Sequence, residues 1–317
     1  MSDVWQNRQV AGLWESAFGV SYEYVKEQLS RVPDEFVTLS FDRNILDAMV
    51  YSFPCQWDIK GKKIKSVYTF GFAARVDVRG KGVALKTLSK HFETLRKHQV
   101  GLSFLQAEYP GLVAYYQEKA QYSFTEKISV RNYQYCAPSN SPSINKLTPS
   151  QAYEAAFSLL KRRDQCILPD RESFENAGMY TEFIGVSAPD GSMSGVLGLD
   201  RKTKDIFILS ASDKYSESIL AHYYMGIANI QECAIERPDE NGSQLRRGCC
   251  RVINPSFLNE QPHLLKDFYP SFTLRDQLIS DNNCLIGGDM NTSIPRVSIN
   301  ELTRHIVPYL EMPLAYY

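Results

Sequence analysis

Apolar positions recur at Val10, Leu13, Trp14, Ala17 and Phe18, the spacing of one buried helical stripe, and Gly19 closes it. "SYEYVKEQLSRV" predicts a second helix. The pattern then changes. "EFVTLSFD", "LDAMVYSFPCQWDI" and "KSVYTFGFAARVDV" are dense in β-branched and aromatic residues, and the turn formers "DRN" and "KGKK" separate them, which predicts a β-meander. Helical spacing returns with Leu85, Leu88, Phe92 and Leu95 on one face and closes near His98. "GLSFLQA" reads as a short strand, "PGLVAYYQEK" as a short helix with Pro110 near its first turn, and "YSFTEKISVRNYQY" as a final strand. The predicted order is ααβββαβαβ.

Beyond this, "CAPSNSPSINKLTPS", Cys136 to Ser150, reads as a linker, and "RPDENGSQLRRG" marks a weaker break after Arg237. Three units are expected, at 1–137, 148–240 and 246–317. Ile219, Leu220, Tyr223, Tyr224 and Ile227 have the spacing of a helical core stripe. "FTLRDQLISDNNCLIGGD" predicts a hairpin, and "SINELTRHIVPYL" a helix capped by Ser298 with Glu301 at the capping-box position.

Composition narrows the setting without changing this outline. The chain has 317 residues, 44% hydrophobic and 22% charged, as in soluble globular proteins. Lys and Arg number 35 against 36 Asp and Glu, so neither nucleic acid nor an anionic membrane is an expected partner. The opening "MSDVWQNRQVAGLWESAFG" lacks the basic-then-apolar order of a secretory signal, and a cytoplasmic protein is expected. The seven cysteines form no CxxC pair and the five histidines no ligand spacing; reduced thiols, surface or capping histidines, and no metal follow.

Candidate chemistry concentrates in "RVDVRGKGVALKTL", Arg75 to Leu88. A strand running into a glycine-containing turn at a helix N-terminus presents free backbone N–H groups and a partial positive charge to an anion. Gly80 and Gly82 let a diphosphate approach without Cβ obstruction, while Arg79 and Lys81 add charge at the rim. A tight strand-to-helix connection would use the same glycines.

"RGKGVA", Arg79 to Ala84, resembles the R/Q-x-x-G-x-G/A acetyl-CoA signature of the GNAT N-acetyltransferases, and "PGLVAYYQEKAQY" resembles their later tyrosine-bearing helix. Gln121 stands where that family usually has glycine, so either Tyr115 or Tyr116 takes the tyrosine's place; Val76 and Val78 replace the usual proline and aromatic. With "WESAFG", "DIFILSASDKYSESILAHYY" and "CCRVINPSFLNEQ", the chain is similar to the Eis-type acetyltransferases. This implies an α+β GNAT fold, a mixed central sheet flanked by helices, followed by a degenerate GNAT-like domain and a small α+β sterol-carrier-like domain.

The resemblance implies acetyl-CoA as co-substrate, held by Phe72, Ala73, Ala74, Arg79, Gly80, Lys81, Gly82, Val83 and Ala84. A backbone N–H from Phe72 to Ala74 meets the thioester carbonyl, Tyr116 (its rival Tyr115) protonates the thiolate, and the terminal carboxylate of Tyr317 is the base. The acceptor is a small-molecule amine or a lysine-bearing substrate, and the likeness leaves room for a homo-oligomer. A non-catalytic coenzyme A sensor and an acyltransferase for longer acyl groups are the competing expectations.

Overall fold

In the computed structural model the described residues are 3–19, 21–29, 32–59, 61–107, 110–124, 127–135, 144–160, 165–178, 181–201, 204, 206–238, 244–245, 248–269, 272–286 and 295–307. The chain begins with helices α1 (Asp3–Phe18) and α2 (Tyr22–Leu29), then strands β1 (Val37–Asp42), β2 (Ile45–Ile59) and β3 (Lys62–Ala74). Helix α3 (Val83–Lys97), strand β4 (Leu102–Gln106), helix α4 (Pro110–Glu118) and strand β5 (Ser123–Phe124) complete the predicted order. Next come β6 (Lys127–Gln134), β7 (Ile144–Leu147), α5 (Pro149–Leu160), β8 (Gln165–Pro169), α6 (Arg171–Ala177), β9 (Thr181–Ser187), β10 (Met193–Asp200), β11 (Ile206–Ala211), α7 (Lys214–Ala228), β12 (Glu232–Pro238) and β13 (Gln244–Leu245). The last elements are β14 (Gly248–Val252), β15 (Phe272–Arg275), β16 (Leu285–Ile286), β17 (Arg296–Ser298) and α8 (Ile299–Ile306).

Two compact units emerge. The first comprises Met1–Cys55, Ile64–Thr125 and Arg247–Pro308; the second Gln56–Lys63, Glu126–Arg246 and Tyr309–Tyr317. The segmentation expected from composition differs from this at two places. Ile144–Leu147, inside the expected linker, is a strand paired with β9, and 247–308 joins the first unit because β14 pairs antiparallel with β4. The stretch expected as one strand after Gln121 divides into β5 and β6, one in each unit.

The first unit's sheet has the order β1-β2-β3-β4-β14-β5. β1 runs antiparallel to β2, whereas β3 and β4 are parallel and joined by the α3 crossover, so the sheet is mixed. Turn chemistry sets the β1–β2 hairpin, with Arg43 and Asn44 at φ 45° and 67°. Helix α3 buries Leu88, Phe92 and Leu95 on the sheet, and α1 buries Val10, Leu13 and Trp14 in the same cluster. Each such side chain contributes about 1.5–3 kcal/mol by leaving water.

His91 corrects the expectation that the histidines sit at surfaces or caps: it is fully buried. Strands β1 to β4 each present a hydroxyl beneath it. Thr38 Oγ1 meets His91 Nδ1 at 3.0 Å, Ser52 Oγ meets Nε2 at 2.8 Å, and Thr69, Ser103 and Tyr122 continue the row at 2.9, 2.7 and 2.6 Å. Polar residues tolerated inside a sheet are here partners for one another.

The second unit has an antiparallel sheet of order β11-β10-β9-β7, with α5 and α7 packed against it. Leu220 is buried, and Ile219, Tyr223, Tyr224 and Ile227 pack against the same core, as their spacing predicts. Near the end of the chain, β15 and β16 form the expected hairpin. Ser298 and Glu301 close α8 in a capping box.

Candidate functional site

The site begins within β3, at a glycine in the left-handed region. Gly71 has φ 58°, and a Cβ there would lie 2.7 Å from Trp14 Cζ3, so only glycine fits. A lone glycine inside "YTFGFAA" is the sequence signal for such an irregularity. The strand then presents Phe72, Ala73 and Ala74 and ends, four residues earlier than the hydrophobic pattern suggests, because Arg75 is drawn to Asp47. Arg75 N donates to the Asp47 carbonyl at 2.8 Å, and Nη2 to its carboxylate at 2.8 Å. Val76–Val78 form a 3₁₀ turn, and Arg79 folds back so that Nε donates to the Ala74 carbonyl at 3.1 Å.

Gly80 and Gly82 follow at φ 76° and 78°, in the left-handed region, and a Cβ on either would meet no atom within 4 Å. Their surroundings are therefore open, and the backbone conformation is what demands glycine. The first i→i−4 bond of α3 runs from Lys86 N to the Gly82 carbonyl at 3.0 Å. The amides of Val83, Ala84 and Leu85 thus lack intrahelical acceptors, and the N-cap residue, Gly82, has no side chain to cover them. Helix α7 shows the opposite arrangement, since Asp213 caps it by accepting from Ser216 N at 2.8 Å. The first terminus has no side-chain cap, whereas the second is closed by its own carboxylate.

These elements line one cleft of about 520 Å³. It brings together the expected residues Phe72, Ala73, Ala74, Arg79, Gly80, Gly82, Val83, Ala84 and Tyr116. Lys81 is exposed and does not line it; Tyr317 lies outside the described residues. Sequence reading missed Ala17 and Phe18 from α1, and Leu112 and Lys119 beside the tyrosines, because apolar stripe positions look like ordinary core.

The tyrosine pair occupies α4. Phe72 packs 6.2 Å from the Tyr115 ring and 6.3 Å from that of Tyr116. Tyr116 is 8% exposed and stands edge-on to Tyr122. The Tyr115 hydroxyl is buried with no hydrogen-bond partner among the described residues, and burial pushes its pKa above the ordinary phenol value. Gln121, at φ 57°, takes the left-handed position that ends this helix, and its side chain accepts from Gln277 N at 3.1 Å. Among the described residues no group of acidic, cysteine or histidine side chains is arranged to hold a metal, and no helix is long and apolar enough to cross a membrane.

Residues 6–122 match the family model described as Acetyltransferase (GNAT) domain. A comparison with curated proteins finds no match. Among solved structures, the chain is similar to a probable N-acyltransferase from Enterococcus faecalis V583, with 14% identity, 96% of this chain and 88% of that one covered, and a TM-score of 0.68. A GCN5-related N-acetyltransferase from Kribbella flavida gives 12%, 96%, 87% and 0.69. Eis1 from Mycobacterium abscessus gives 10%, 96%, 87% and 0.61. At these identities the likeness establishes the fold, the mixed α+β architecture described above.

Proposed function

We propose that the protein transfers an acetyl group from acetyl-CoA to a primary amine at the cleft between the Arg79–Ala84 loop and α4. The observation that carries this is one cavity holding both an uncapped helix N-terminus and a buried, unpartnered phenol. The open amides and Arg79 suit a diphosphate. A neutral amine attacks the thioester carbon, forming the C–N bond while an N–H from Phe72 to Ala74 stabilises the developing oxyanion. The C–S bond then breaks, the thiolate takes a proton from a tyrosine, and the new amide nitrogen loses its extra proton to a base.

Tyr115 is favoured over Tyr116 as the acid, because its hydroxyl has no other bond to lose. The base is the terminal carboxylate of Tyr317, by likeness to the Eis-type enzymes. Acceptors in the same class are aminoglycosides, polyamines and lysine side chains. The test incubates the protein with acetyl-CoA and a panel of these amines while following free thiol. Amine-dependent thiol release is expected; coenzyme A binding without release across the panel favours the sensor reading instead. Removing Tyr316 and Tyr317 is expected to abolish turnover and spare coenzyme A binding, and normal turnover in that truncation removes Tyr317 as base.

A further inference from the structure

We propose that Gln121 and Arg251 are positioning residues for the tyrosine acid: Arg251, on strand β14, grips the turn that ends α4 and so fixes where the phenol stands in the cleft. This rests on the acyl-transfer reading above, in which a tyrosine of α4 protonates the thiolate. Helix α4 has nine residues, Pro110–Glu118, too few to hold its shape without tertiary support.

The turn is closed through the tyrosines themselves. The Tyr115 carbonyl accepts from Lys119 N at 2.9 Å and from Ala120 N at 3.2 Å, and the Tyr116 carbonyl accepts from Tyr122 N at 2.9 Å. A displacement of residues 119–122 is therefore passed to both phenols. Just past the helix, the carbonyls of Ala120 and Gln121 accept from the Arg251 guanidinium. That guanidinium is buried, held on its other side by Asp276, and seated 5.0 Å from the centroid of the Phe92 ring on α3.

Gln121 adds a second grip. At φ 57° it occupies backbone space that glycine takes without steric cost, yet its side chain is engaged: Oε1 accepts from Gln277 N at 3.1 Å and from Arg251 Nη1 at 3.4 Å. From α8, the Asn300 carbonyl accepts from Ser123 Oγ at 3.0 Å. Leu278, whose amide donates to Asp276 Oδ1, walls a groove of about 500 Å³ along α3, so the clamp is continuous with the helix that carries the glycine turn. On the cleft side, Phe72 packs against both tyrosine rings. Proton transfer needs the hydroxyl within hydrogen-bond reach of the sulfur, and a misplacement of about 1 Å costs up to about a hundredfold in rate.

Two variants of the full chain separate positioning from folding. Gln121→Gly removes the side-chain grip and relieves the left-handed backbone, so its melting temperature is expected within a few degrees of wild type. Arg251→Met, Asp276→Leu removes the clamp without stranding a charge. In steady-state thiol release, with acetyl-CoA and the panel amine that gives the fastest release, kcat is expected to fall about tenfold or more in each variant. KM for acetyl-CoA is expected to change less than about twofold, because the glycine loop is untouched. The tyrosine-to-phenylalanine variant that lowers release is expected to cost far less on either background than on wild type, since its hydroxyl is already out of place. Wild-type kcat in whichever of the two variants is folded overturns the inference and leaves the function standing. So does a loss fully additive with that of the tyrosine variant. Absence of thiol release from wild type with every amine removes the acyl-transfer reading and this inference together.

Discussion

Arg251 on β14 and Asp276 pair at 2.5 Å with neither side chain exposed to solvent. The guanidinium's Nη1 also donates to the carbonyls of Ala120 and Gln121 at 3.3 and 3.2 Å. Asp276 in turn accepts from the amides of Leu278 and Ile279 and from Asn282 Nδ2. The pair therefore ties the turn after the tyrosine-bearing helix to the wall of the α3 groove. Burial draws the Arg251 pKa down, and the carboxylate beside it opposes that shift.

Replacing Asp276 with Ala leaves a buried charge without its partner. A loss of about 3–5 kcal/mol is expected in urea unfolding. The double variant Arg251→Met, Asp276→Leu is expected to recover much of it, because no charge is then stranded. A single variant as stable as wild type contradicts this account of the pair.

Glycine substitutions separate strain from crowding. Gly80→Ala is expected to cost about 1 kcal/mol from its left-handed backbone alone, since its Cβ meets open space. Gly71→Ala combines that strain with overpacking on Trp14, and a further loss of about 1–3 kcal/mol is expected. Equal denaturation midpoints for the two variants would count against the close Trp14 contact.

Tyr115→Phe is expected to lower thiol release by about 10²- to 10⁴-fold while leaving the melting temperature equal or higher, because it removes a buried hydroxyl that has no partner. The same loss in Tyr116→Phe, with Tyr115→Phe active, reverses the assignment.

Burial lowers the His91 pKa from its ordinary 6.5 to about 3. Between these values the unfolded chain binds a proton that the folded chain does not, so stability falls as pH drops through that window, at up to about 1.4 kcal/mol per pH unit. His91→Gln is expected to flatten the dependence of unfolding free energy on pH by one proton between pH 6 and 4. Identical slopes for the two proteins would show that His91 is not the group responsible.

Much of the site was legible because it is local. "RGKG" between a strand and a helix already predicts a glycine turn with free amides at a helix N-terminus, and the structure has Gly82 as an N-cap without a side chain, with both glycines in the left-handed region. The choice between Tyr115 and Tyr116 was not legible, since adjacent helical positions differ only in which neighbours they meet. Likewise Ser52, Thr69, Ser103 and His91 are ordinary polar residues along the chain, and their row exists only because four strands stack in one register.

By itself, the sequence determined the succession of elements from α1 to β5, the turns at Arg43–Asn44 and Gly61, the glycine turn before α3 and the Ser298 cap, because periodicity and turn chemistry act over a few residues. Only the tertiary structure decided that Gly248–Val252 enters the first sheet beside β4, that Arg251 finds Asp276 and Gln121, and that Leu278 walls the α3 groove. Those contacts join residues from 25 to more than a hundred positions apart, where nothing in a local pattern distinguishes the partner chosen from any other strand or carboxylate of similar chemistry.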